Sequence, residues 1–329
     1  MRTIFFRNRP TITATSSIAG PKECSGSIGK FIQTKLSDDM YGEKTFEKAE
    51  SRMLFTSIKN SIINAGKNES DVDAIISGDL LDQIIASTFS ARNFDTGYLG
   101  VYNACATFAE ALTLGATLID GNYMNNVVCA ASSHFSSAER QYRFPLELGC
   151  TRPPQSQWTV TGAGSCMLAS DGKGPKITAA TIGKIVDYGI TDANNMGAAM
   201  APAALNTLLT LFNDTKTNPE DYDLIVSGDL GTLGSRILKD LIWEKGFDIE
   251  KQHVDCGELV YNIAEQEYQG GSGAGCSALV FSSYLFDKLK KGKLKKIIIM
   301  ATGALLSSLS SQQGESIPGI AHAVVVEGE

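Results

Sequence analysis

Cys105 is the residue of this sequence whose surroundings best suit chemistry. It lies in the segment GVYNACATF, residues 100–108, where an extended stretch gives way to a helical pattern. A helix N-terminus stabilises a thiolate through its dipole and its free N–H groups. The flanking alanines leave room for a ligand to approach the sulfur. The pattern favours a reactive or ligand-contacting thiol, although burial as a structural residue is the commoner fate of cysteine.

A second group of polar residues follows the apolar segment Asn126–Ala131, which we predict to be a buried strand. Ligands in open α/β sheets bind at the carboxyl ends of parallel strands, and arginine forks suit carboxylates. The arginines of this group would serve equally well as ion pairs between domains or subunits, and its histidine as a structural residue. The group consists of Ser133, His134, Arg140, Arg143 and Arg152.

Two further candidates come from the second half of the chain. Ser272 lies in the glycine-rich run 270–275, which forms either a nest of N–H groups or a tight turn for helix packing. His322 precedes a terminal apolar strand and is a weaker candidate for the same site. Neither GxxxxGK[ST] nor GxGxxG after a strand occurs, so no nucleotide cofactor is predicted. The seven cysteines form no CxxC pair and no EF-hand loop occurs, so no metal site is predicted.

The elements that must position these residues occur twice. The octapeptide DAIISGDL at 73–80 recurs as DLIVSGDL at 223–230, an offset of 150. Cys105 and Cys276 each open a helical run that leads to an apolar strand, at an offset of 171. Two correspondences in the same order predict a duplicated unit.

Each half reads as helix, strand, loop, helix, strand. The strands are apolar along their whole length, as in strands buried on both faces, and their alternation with helices predicts a mostly parallel sheet. Two halves, residues 1–172 and 173–329, predict a five-layer α/β/α/β/α protein with two parallel or mixed sheets. Two independent Rossmann-like domains are the alternative, which the lack of a Pro/Gly/Ser-rich linker disfavours.

Composition narrows the range of partners. The chain has 329 residues and a net charge of −7, which argues against general nucleic-acid binding. The basic cluster Lys288–Lys296 is either a solvated helix end or a contact with a membrane or partner. No stretch approaches the ~20 apolar residues of a membrane span, and the N-terminus lacks the pattern of a signal peptide. We therefore expect any membrane association to go through partner proteins.

The duplicated halves with a cysteine elbow resemble the thiolase superfamily, and within it the ketoacyl-ACP synthase III-type enzymes. The glycine-rich turn Thr161–Ser165 resembles a family feature as well. The resemblance implies a cysteine assisted by a histidine and an asparagine. The segment 225–231, where the histidine belongs, has none, and Gly271 stands at the asparagine position. The resemblance therefore implies a thiolase-like fold without the family's catalysis. The alternative is a ketoacyl synthase III-like acyltransferase that uses Cys105 with other assistants.

Longer motifs across the whole chain resemble the stage V sporulation protein AD family. They are Ala19–Lys22, Ser77–Leu81, Ser132–His134, Ala138–Pro145, Gly189–Asp192, Met196–Pro202, Gly270–Ala278 and Ala301–Ser307. This resemblance implies a non-catalytic protein that binds dipicolinic acid, pyridine-2,6-dicarboxylate. It also implies a place at the cytoplasmic face of the forespore or spore inner membrane. There the protein would work with the stage V sporulation A membrane proteins of the same operon to load dipicolinate, with calcium, into the developing spore.

These expectations combine into one hypothesis. Dipicolinate would lie beneath Cys105, with His134 and at least one of the three arginines facing its carboxylates and with Tyr142 and Phe144 as a flat wall. A homodimer through the strand Asn126–Ala131 would follow from the resemblance. A scaffold that docks on membrane partners and binds nothing small is the remaining alternative.

Overall fold

The computed structural model describes residues 1–143, 145–261 and 269–329. These residues form fourteen strands: β1 (Thr3–Phe5), β2 (Thr11–Ala19), β3 (Thr34–Lys35), β4 (Ala74–Gly78), β5 (Gly97–Gly100), β6 (Asn126–Ser133), β7 (Trp158–Thr159), β8 (Gly162–Ala169), β9 (Lys176–Thr181), β10 (Leu224–Ser227), β11 (His253–Asp255), β12 (Gly271–Ser272), β13 (Lys296–Ala304) and β14 (Gly319–Glu327).

The same residues form eleven α-helices: α1 (Pro21–Cys24), α2 (Phe46–Asn64), α3 (Ile85–Ala91), α4 (Thr107–Asp120), α5 (Phe135–Tyr142), α6 (Met196–Thr215), α7 (Gly231–Trp243), α8 (Cys256–Val260), α9 (Ala274–Val280), α10 (Phe286–Lys290) and α11 (Ser308–Gln312). The segment Phe281–Leu285 between α9 and α10 is π-helical.

The sheet confirms the predicted mixed, duplicated α/β fold. Its main path runs β11-β10-β13-β14-β9-β2-β8-β6-β4-β5. In the first half, β5, β4 and β6 are parallel and β8 lies antiparallel between β6 and β2. In the second half, β11, β10 and β13 are parallel and β14 lies antiparallel between β13 and β9. Both halves therefore have one topology. They join into a continuous sheet at β9, which pairs with β2 at Thr11 and Lys176 and with β1 along Thr3–Phe5.

Equivalent contacts hold the repeated strands in place. Asp73 Oδ2 accepts a hydrogen bond from the Asn126 N–H at 2.9 Å, just before β4. Asp223 Oδ2 accepts one from the Lys296 N–H at 3.0 Å, just before β10. The aspartates are 150 positions apart and their partners 170. The strands that end at the predicted site thus start from the same side-chain anchor in both halves.

The repeated helices show where the sequence alignment of the halves needs correcting. Ala104, with φ 49°, precedes α4, and Gly273, with φ 109°, precedes α9, 169 positions later. The following strands are 170 positions apart, and the π-helical turn accommodates the additional residue. The second-half equivalent of Cys105 is therefore Ala274. The predicted pairing of Cys105 with Cys276 is wrong by two positions.

Helices cover both faces of each half-sheet. Helices α2 and α3 contact strands of the first half, α6 contacts β14 and β13 of the second half, and α7 packs on α6. Helices α4 and α9 lie between the halves, where α4 contacts β6, β13 and α9. Phe108 and Phe281 meet in this middle layer with ring centroids 5.8 Å apart. The order of layers is thus α/β/α/β/α, as predicted.

The position of β6 corrects the expected dimer contact. Strand β6, which contains the segment Asn126–Ala131, pairs with β4 on one side and β8 on the other. It has no free edge, so it cannot pair with a second copy. The outer strand of the first half is β5, where Leu99 is 44% exposed. The strand predicted for dimer contact is therefore wrong.

Among residues 1–143, 145–261 and 269–329, no helix combines the length and the apolar composition that crossing a bilayer requires.

Candidate ligand-binding site

A cavity lies in front of Cys105, where residues from both halves meet. It encloses about 450 Å³ of space that no atom fills, its open mouth included. Its floor and sides are mostly apolar, with a few polar groups among them, as is usual for small-molecule sites. The residues around it are Leu80, Tyr102, Ala104, Cys105, Ala138, Glu139, Tyr142, Arg143, Thr159, Met196, Ser272, Ala304 and Leu306.

A sharp turn after β5 places Cys105 at the cavity. Ala104 adopts a left-handed conformation, which costs an L-residue roughly 1–2 kcal/mol. The hydroxyl of Thr107 closes the turn by donating to the Ala104 carbonyl at 2.7 Å and accepting from the Asn103 N–H at 3.1 Å. Backbone strain of this kind is often kept at functional sites. The turn exposes the Cys105 side chain to the cavity while burying most of the residue.

Two causes keep the Cys105 thiol protonated. Burial raises its pKa well above the usual range, and the nearby carboxylate of Asp229 raises the pKa further. Hydrogen bonding from the Gly273 backbone and the charge of Arg143 act in the opposite direction but do not outweigh them. From the sequence, we expect the helix N-terminus to stabilise a thiolate. In the folded chain, desolvation has the larger effect on the Cys105 pKa and favours the thiol.

The second half of the chain contributes Asp229, whose carboxyl contacts Cys105. Asp229 follows β10 and accepts hydrogen bonds from the Gly273 N–H at 3.1 Å and from the Thr302 hydroxyl at 2.8 Å. Burial raises the pKa of this carboxyl to about 6. The segment 225–231 is where the resemblance noted in the sequence implies a histidine, and the chain has an acid there instead.

Two buried arginines share one carboxylate beside the cavity. Arg143 and Glu139, one turn apart at the end of α5, form an ion pair. Arg152 Nη1 lies 2.8 Å from the other oxygen of Glu139, and a further hydrogen bond joins Arg152 to the Gln157 carbonyl. Thr159 Oγ1 donates to Glu139 at 3.4 Å. The cluster itself holds two cations and one anion, and the other acid of the site, Asp229, accepts hydrogen bonds from Gly273 and Thr302 instead.

Part of the hydrogen-bonding capacity of these arginines is unused. Among the described residues, neither Arg143 Nε nor Arg152 Nε has a hydrogen-bond acceptor, although both are buried. Buried guanidinium N–H groups without partners are costly and therefore uncommon. Burial lowers the pKa of Arg143, yet a guanidinium stays charged at neutral pH. Of the two arginines, Arg143 lines the cavity, so its guanidinium is the one placed to meet an anion there.

Tyrosine rings form the mouth of the cavity. The hydroxyls of Tyr102 and Tyr142 are 3.1 Å apart, and Tyr142 also donates to the Leu80 carbonyl. Both rings line the cavity, so the predicted flat wall has Tyr142 in it and Tyr102 as well. Phe144, the other residue predicted for this wall, lies outside the described residues.

The remaining predicted residues divide between the cavity and its surroundings. Ser272 lines the cavity, and its strand β12 pairs with β7. Ser133 is buried next to it, donating to the Val160 carbonyl at 2.6 Å and accepting from the Gly275 N–H at 3.2 Å. Its hydroxyl is thus used inside the protein and holds the glycine-rich turn.

His134, Arg140 and His322 lie away from the cavity wall. His134 caps α5: its Nδ1 accepts from the Ser136 N–H at 3.1 Å and its Nε2 is 2.8 Å from the Asp39 carbonyl oxygen. Arg140 is 48% exposed and pairs with Glu47. His322 is buried, with Nδ1 accepting from the Gly183 N–H at 3.1 Å, and burial lowers its pKa to about 4. All three have structural partners that occupy their polar atoms.

The sequence offered a signal for one residue that we missed. Glu139 stands four positions before Arg143, the spacing of an ion pair on a helix. Tyr102 lies in the cysteine segment itself, whereas Met196, Thr159 and Leu306 reach the cavity only through the fold. In the described part of the chain, no group of three or more acidic, cysteine or histidine side chains is arranged to hold a metal ion.

Comparisons with known proteins agree with this geometry. Solved structures with the same fold include 3-oxoacyl-[acyl-carrier-protein] synthase III from Aquifex aeolicus, at 14% identity and TM-score 0.59 over 97% of this chain and 99% of that one. OleA from Xanthomonas campestris matches at 14% identity and TM-score 0.62 over 98% of both chains. These likenesses show the thiolase-like fold alone.

Sequence comparison goes further. The family model described as stage V sporulation protein AD (SpoVAD) matches residues 1–327. Stage V sporulation protein AD of Bacillus subtilis (strain 168) is 39% identical over 327 residues, which cover 99% of this chain and 96% of that protein. The chain therefore belongs to the stage V sporulation protein AD family, a family of sporulation proteins with a thiolase-like fold.

Proposed function

We propose that this protein binds dipicolinate without transforming it and that the cavity at Cys105 is the binding site. The observation that carries the proposal is the buried pair Arg143 and Arg152, whose two positive charges share the single carboxylate of Glu139. Buried charges are normally balanced, because an unpaired one costs several kcal/mol. A bound carboxylate at the cavity would pair with the second arginine, which Glu139 alone does not match.

The shape of the cavity suits a small planar dianion. Arg143 lines one side, and the rings of Tyr102 and Tyr142 offer flat surfaces. Ser272 and Thr159 add neutral polar groups for a ring nitrogen or a second carboxylate. Dipicolinate carries two carboxylates on an aromatic ring, so it fills each of these requirements. Of the predicted contacts, we retain Cys105, Arg143 and Ser272, while Arg152 acts through its ion pair with Glu139.

Acyl transfer is the function that this site supports less well. A nucleophilic cysteine must be a thiolate, and burial together with Asp229 keeps the Cys105 thiol neutral. An acid at the place of the enzymes' histidine repels a developing oxyanion instead of stabilising it. We therefore expect no turnover with acetyl-CoA or acetoacetyl-CoA. A steady-state rate on the order of 1 s⁻¹ that Cys105→Ala abolishes would establish the acyltransferase instead.

The proposal includes partners and location. Dipicolinate uptake into the developing spore needs membrane proteins, and we place those of the same operon beside this chain, at the cytoplasmic face of the forespore or spore inner membrane. Calcium would arrive with the ligand. We also propose a homodimer, formed at the free edge of β5 by pairing across a two-fold axis, since exposed sheet edges need covering. Light scattering of Leu99→Lys beside the parent tests this contact.

Calorimetric titration with dipicolinate, with and without calcium, tests the binding proposal. The key variant is Arg143→Gln, which keeps Glu139 paired with Arg152. A charge-assisted contact is worth about 1.5–3 kcal/mol, so binding should weaken roughly 10- to 150-fold. Arg140→Gln is the matched control, because Arg140 lies three residues before Arg143, pairs with Glu47 and does not line the cavity.

Three results would contradict the assignment. The first is the absence of a heat of binding from the parent protein at millimolar dipicolinate, which would mean that the protein does not bind this ligand. The second is an equal weakening of binding by Arg143→Gln and Arg140→Gln, which would mean that the site lies elsewhere. Equal affinity in a folded Arg143→Gln variant and in the parent would exclude the arginine pair.

A further inference from the structure

A strongly basic surface lies at the end of α10 and the start of β13. It consists of Lys288, Lys290, Lys291, Lys293, Lys295 and Lys296, which we call the lysine face. These six residues are a large share of the 29 Lys and Arg side chains in a protein with 36 acidic ones. Four of them, at 290, 291, 293 and 295, are exposed. The positive charge of this acidic protein is thus concentrated where solvent reaches it.

The protein neutralises little of this charge. Lys291 pairs with Asp287 at 2.7 Å, the one ion pair of the lysine face within the described ranges. The carboxylate of Asp223 is already engaged by the backbone N–H groups of Lys295 and Lys296, at 2.5 and 3.0 Å. Glu327, on the neighbouring strand, lies 3.5 Å from Arg9. The exposed Glu329 lies at this edge as well, since the N–H of the preceding Gly328 donates to the Lys295 carbonyl at 2.7 Å. The six lysines outnumber these acids, and Asp223 and Glu327 have other partners.

The side chains near the lysine face are arranged around half-buried aromatic rings. The Lys288 ammonium lies 5.7 Å from the ring centroid of Phe31 and 5.3 Å from that of Tyr284. Lys30 Nζ lies 5.3 Å from the same Phe31 ring, adding a seventh cation at this edge. Such contacts hold the stems of the lysines on the protein while their charged ends stay in water.

We propose that the lysine face binds the surface of an anionic lipid bilayer directly. Clusters of four to eight basic residues are attracted to anionic headgroups, by about 1 kcal/mol for each lysine near the surface. Lysine is a flexible point charge, which suits an array of phosphates without fixed geometry, and the lysine face contains no arginine fork. The proposal does not rest on dipicolinate binding.

The composition of the lysine face favours lipid over a protein partner. Protein interfaces are centred on apolar and aromatic anchors and are depleted in lysine. Within 288–296, Leu289 is fully buried and Leu294 is half-buried, so the segment presents no exposed apolar anchor. Attraction here is electrostatic, and a bilayer is the surface that presents many negative charges without requiring a complementary shape.

The position of the lysine face also sets an orientation. Strand β13 runs from Lys296 at the lysine face to Ala304 at the cavity wall. A strand of this length spans about 26 Å at ~3.3 Å per residue. The lysine face and the cavity mouth therefore lie towards opposite ends of the molecule, and a protein bound by its lysines keeps the mouth open to solution.

Co-sedimentation with vesicles tests the proposal. We would compare phosphatidylcholine vesicles with vesicles that also contain about 30% phosphatidylglycerol, because the attraction requires anionic headgroups. The test variant replaces the four exposed lysines, Lys290, Lys291, Lys293 and Lys295, by Gln. The control variant replaces four exposed lysines elsewhere, Lys44, Lys48, Lys245 and Lys251, by Gln. Both variants change the net charge equally.

We expect the parent and the control variant to bind anionic vesicles and the test variant to bind at least about 100-fold more weakly. Binding should fall as salt rises from 50 to 300 mM, because screening shortens the range of the attraction. Equal loss in both variants, or binding of the parent to neutral vesicles alone, would overturn the proposal. Capture of a membrane protein without any lipid binding would also overturn it. Dipicolinate titration of the test variant, expected to match the parent, separates this result from the ligand proposal.

Discussion

Strands β4 and β10 lead into the same tetrapeptide, Ser-Gly-Asp-Leu, yet its two aspartates contact different parts of the molecule. Asp79 accepts backbone hydrogen bonds from Leu81 at 2.8 Å and Ser87 at 2.7 Å, both in its own half. Asp229 is held by residues of the second half and meets Cys105, from the first half. Burial raises the pKa of each to about 6. One aspartate organises a loop, and the other reaches the cavity.

The difference shows how a duplicated fold acquires one site. The two copies share strand order, side-chain anchors and a residue with positive φ before the central helix. Only the first copy has a cysteine at the position after that residue, whereas the second has Ala274. Only the second copy's aspartate has a partner across the boundary between halves. The site therefore depends on the contact between copies, and neither copy contains it alone.

The largest expected effect concerns Gly273, the residue with positive φ before α9. Gly273 has φ 109°, and a Cβ there would lie 2.6 Å from Ser133 Oγ. Gly273→Ala should lower the free energy of unfolding by about 2–5 kcal/mol, through backbone strain and overpacking together. Urea unfolding measures it. Gly246→Ala is the control, with φ 87° and no neighbour within 4 Å. Equal losses in both variants would show that the contact with Ser133 is unimportant.

The next effect, on the pH dependence of stability, concerns a buried glutamate in the surroundings of Asp79. Glu50 is buried near it and accepts hydrogen bonds from Ser132 at 3.1 Å and Ser137 at 2.9 Å. Burial, and then the charge of Asp79, raise the pKa of Glu50 well above its usual value. The folded chain then binds this proton more tightly than the unfolded chain. The bound proton therefore stabilises the folded chain fully below the unfolded pKa of about 4.3, and this stabilisation is lost as pH rises towards the folded pKa.

Glu50→Gln should remove this dependence. At pH 7 the variant should be more stable than the parent by about 1.4 kcal/mol for each unit by which the pKa is raised. Thermal unfolding from pH 4 to pH 8 measures the difference, which should disappear near pH 4. Glu220→Gln, an exposed glutamate of the second half, serves as control. A parallel pH profile for Glu50→Gln and the parent would mean that Glu50 is ionised in the folded protein.

A third effect concerns the aspartate at the cavity. Asp229→Asn removes the charge that opposes the Cys105 thiolate, so the Cys105 pKa should fall. Each unit of pKa changes the thiolate fraction tenfold, and we expect alkylation of Cys105 by iodoacetamide to accelerate by about three- to tenfold. Mass spectrometry with the exposed Cys150 as internal reference measures this rate. Asp79→Asn should leave it unchanged, and acceleration by both variants would refute the distinction.

The smallest expected effect on stability concerns Ala104, the positive-φ residue before α4 that corresponds to Gly273. Ala104→Gly relieves the left-handed strain before α4 but increases the entropy of the unfolded chain. The balance should stabilise the protein by about 0.5–1 kcal/mol in urea unfolding. Ala106→Gly, two residues later with φ −78°, should instead destabilise it by a similar amount. A loss of stability in Ala104→Gly would indicate that the Ala104 methyl group packs better than its burial at the cavity wall suggests.

Local patterns in the sequence were enough to predict the repeat, the layers and the place of Cys105. Apolar strands and helical spacing are properties of neighbouring residues, and the octapeptide repeat fixes the order of elements. The identity of the free edge strand was not predictable, because it depends on sheet order. The partnership of Asp229 with Cys105 joins residues far apart in sequence, and no local pattern records it.

Arg140 and Arg143 show that prediction from the sequence has the same limit for residues close together in the chain. Arg140 and Arg143 are three residues apart, a spacing that predicts one helical face. Helix α5 ends at Tyr142, and Arg143 leaves the helical conformation with φ −121° and ψ −71°. One arginine therefore turns inward and the other outward. His134 was assigned to the ligand because it follows a strand, whereas the position before a helix made it an N-cap.

The narrow join between the half-sheets, where β9 meets β2 at one residue pair and β1 along three, has a consequence for how this protein changes over evolution. Between the half-sheets lies α4, which packs against strands of both and against α9, so its side chains help to set the angle between the halves. The cavity takes its walls from both halves, so its width follows that angle. Substitutions buried in the middle layer can thus change the width of the cavity without altering any residue that lines it.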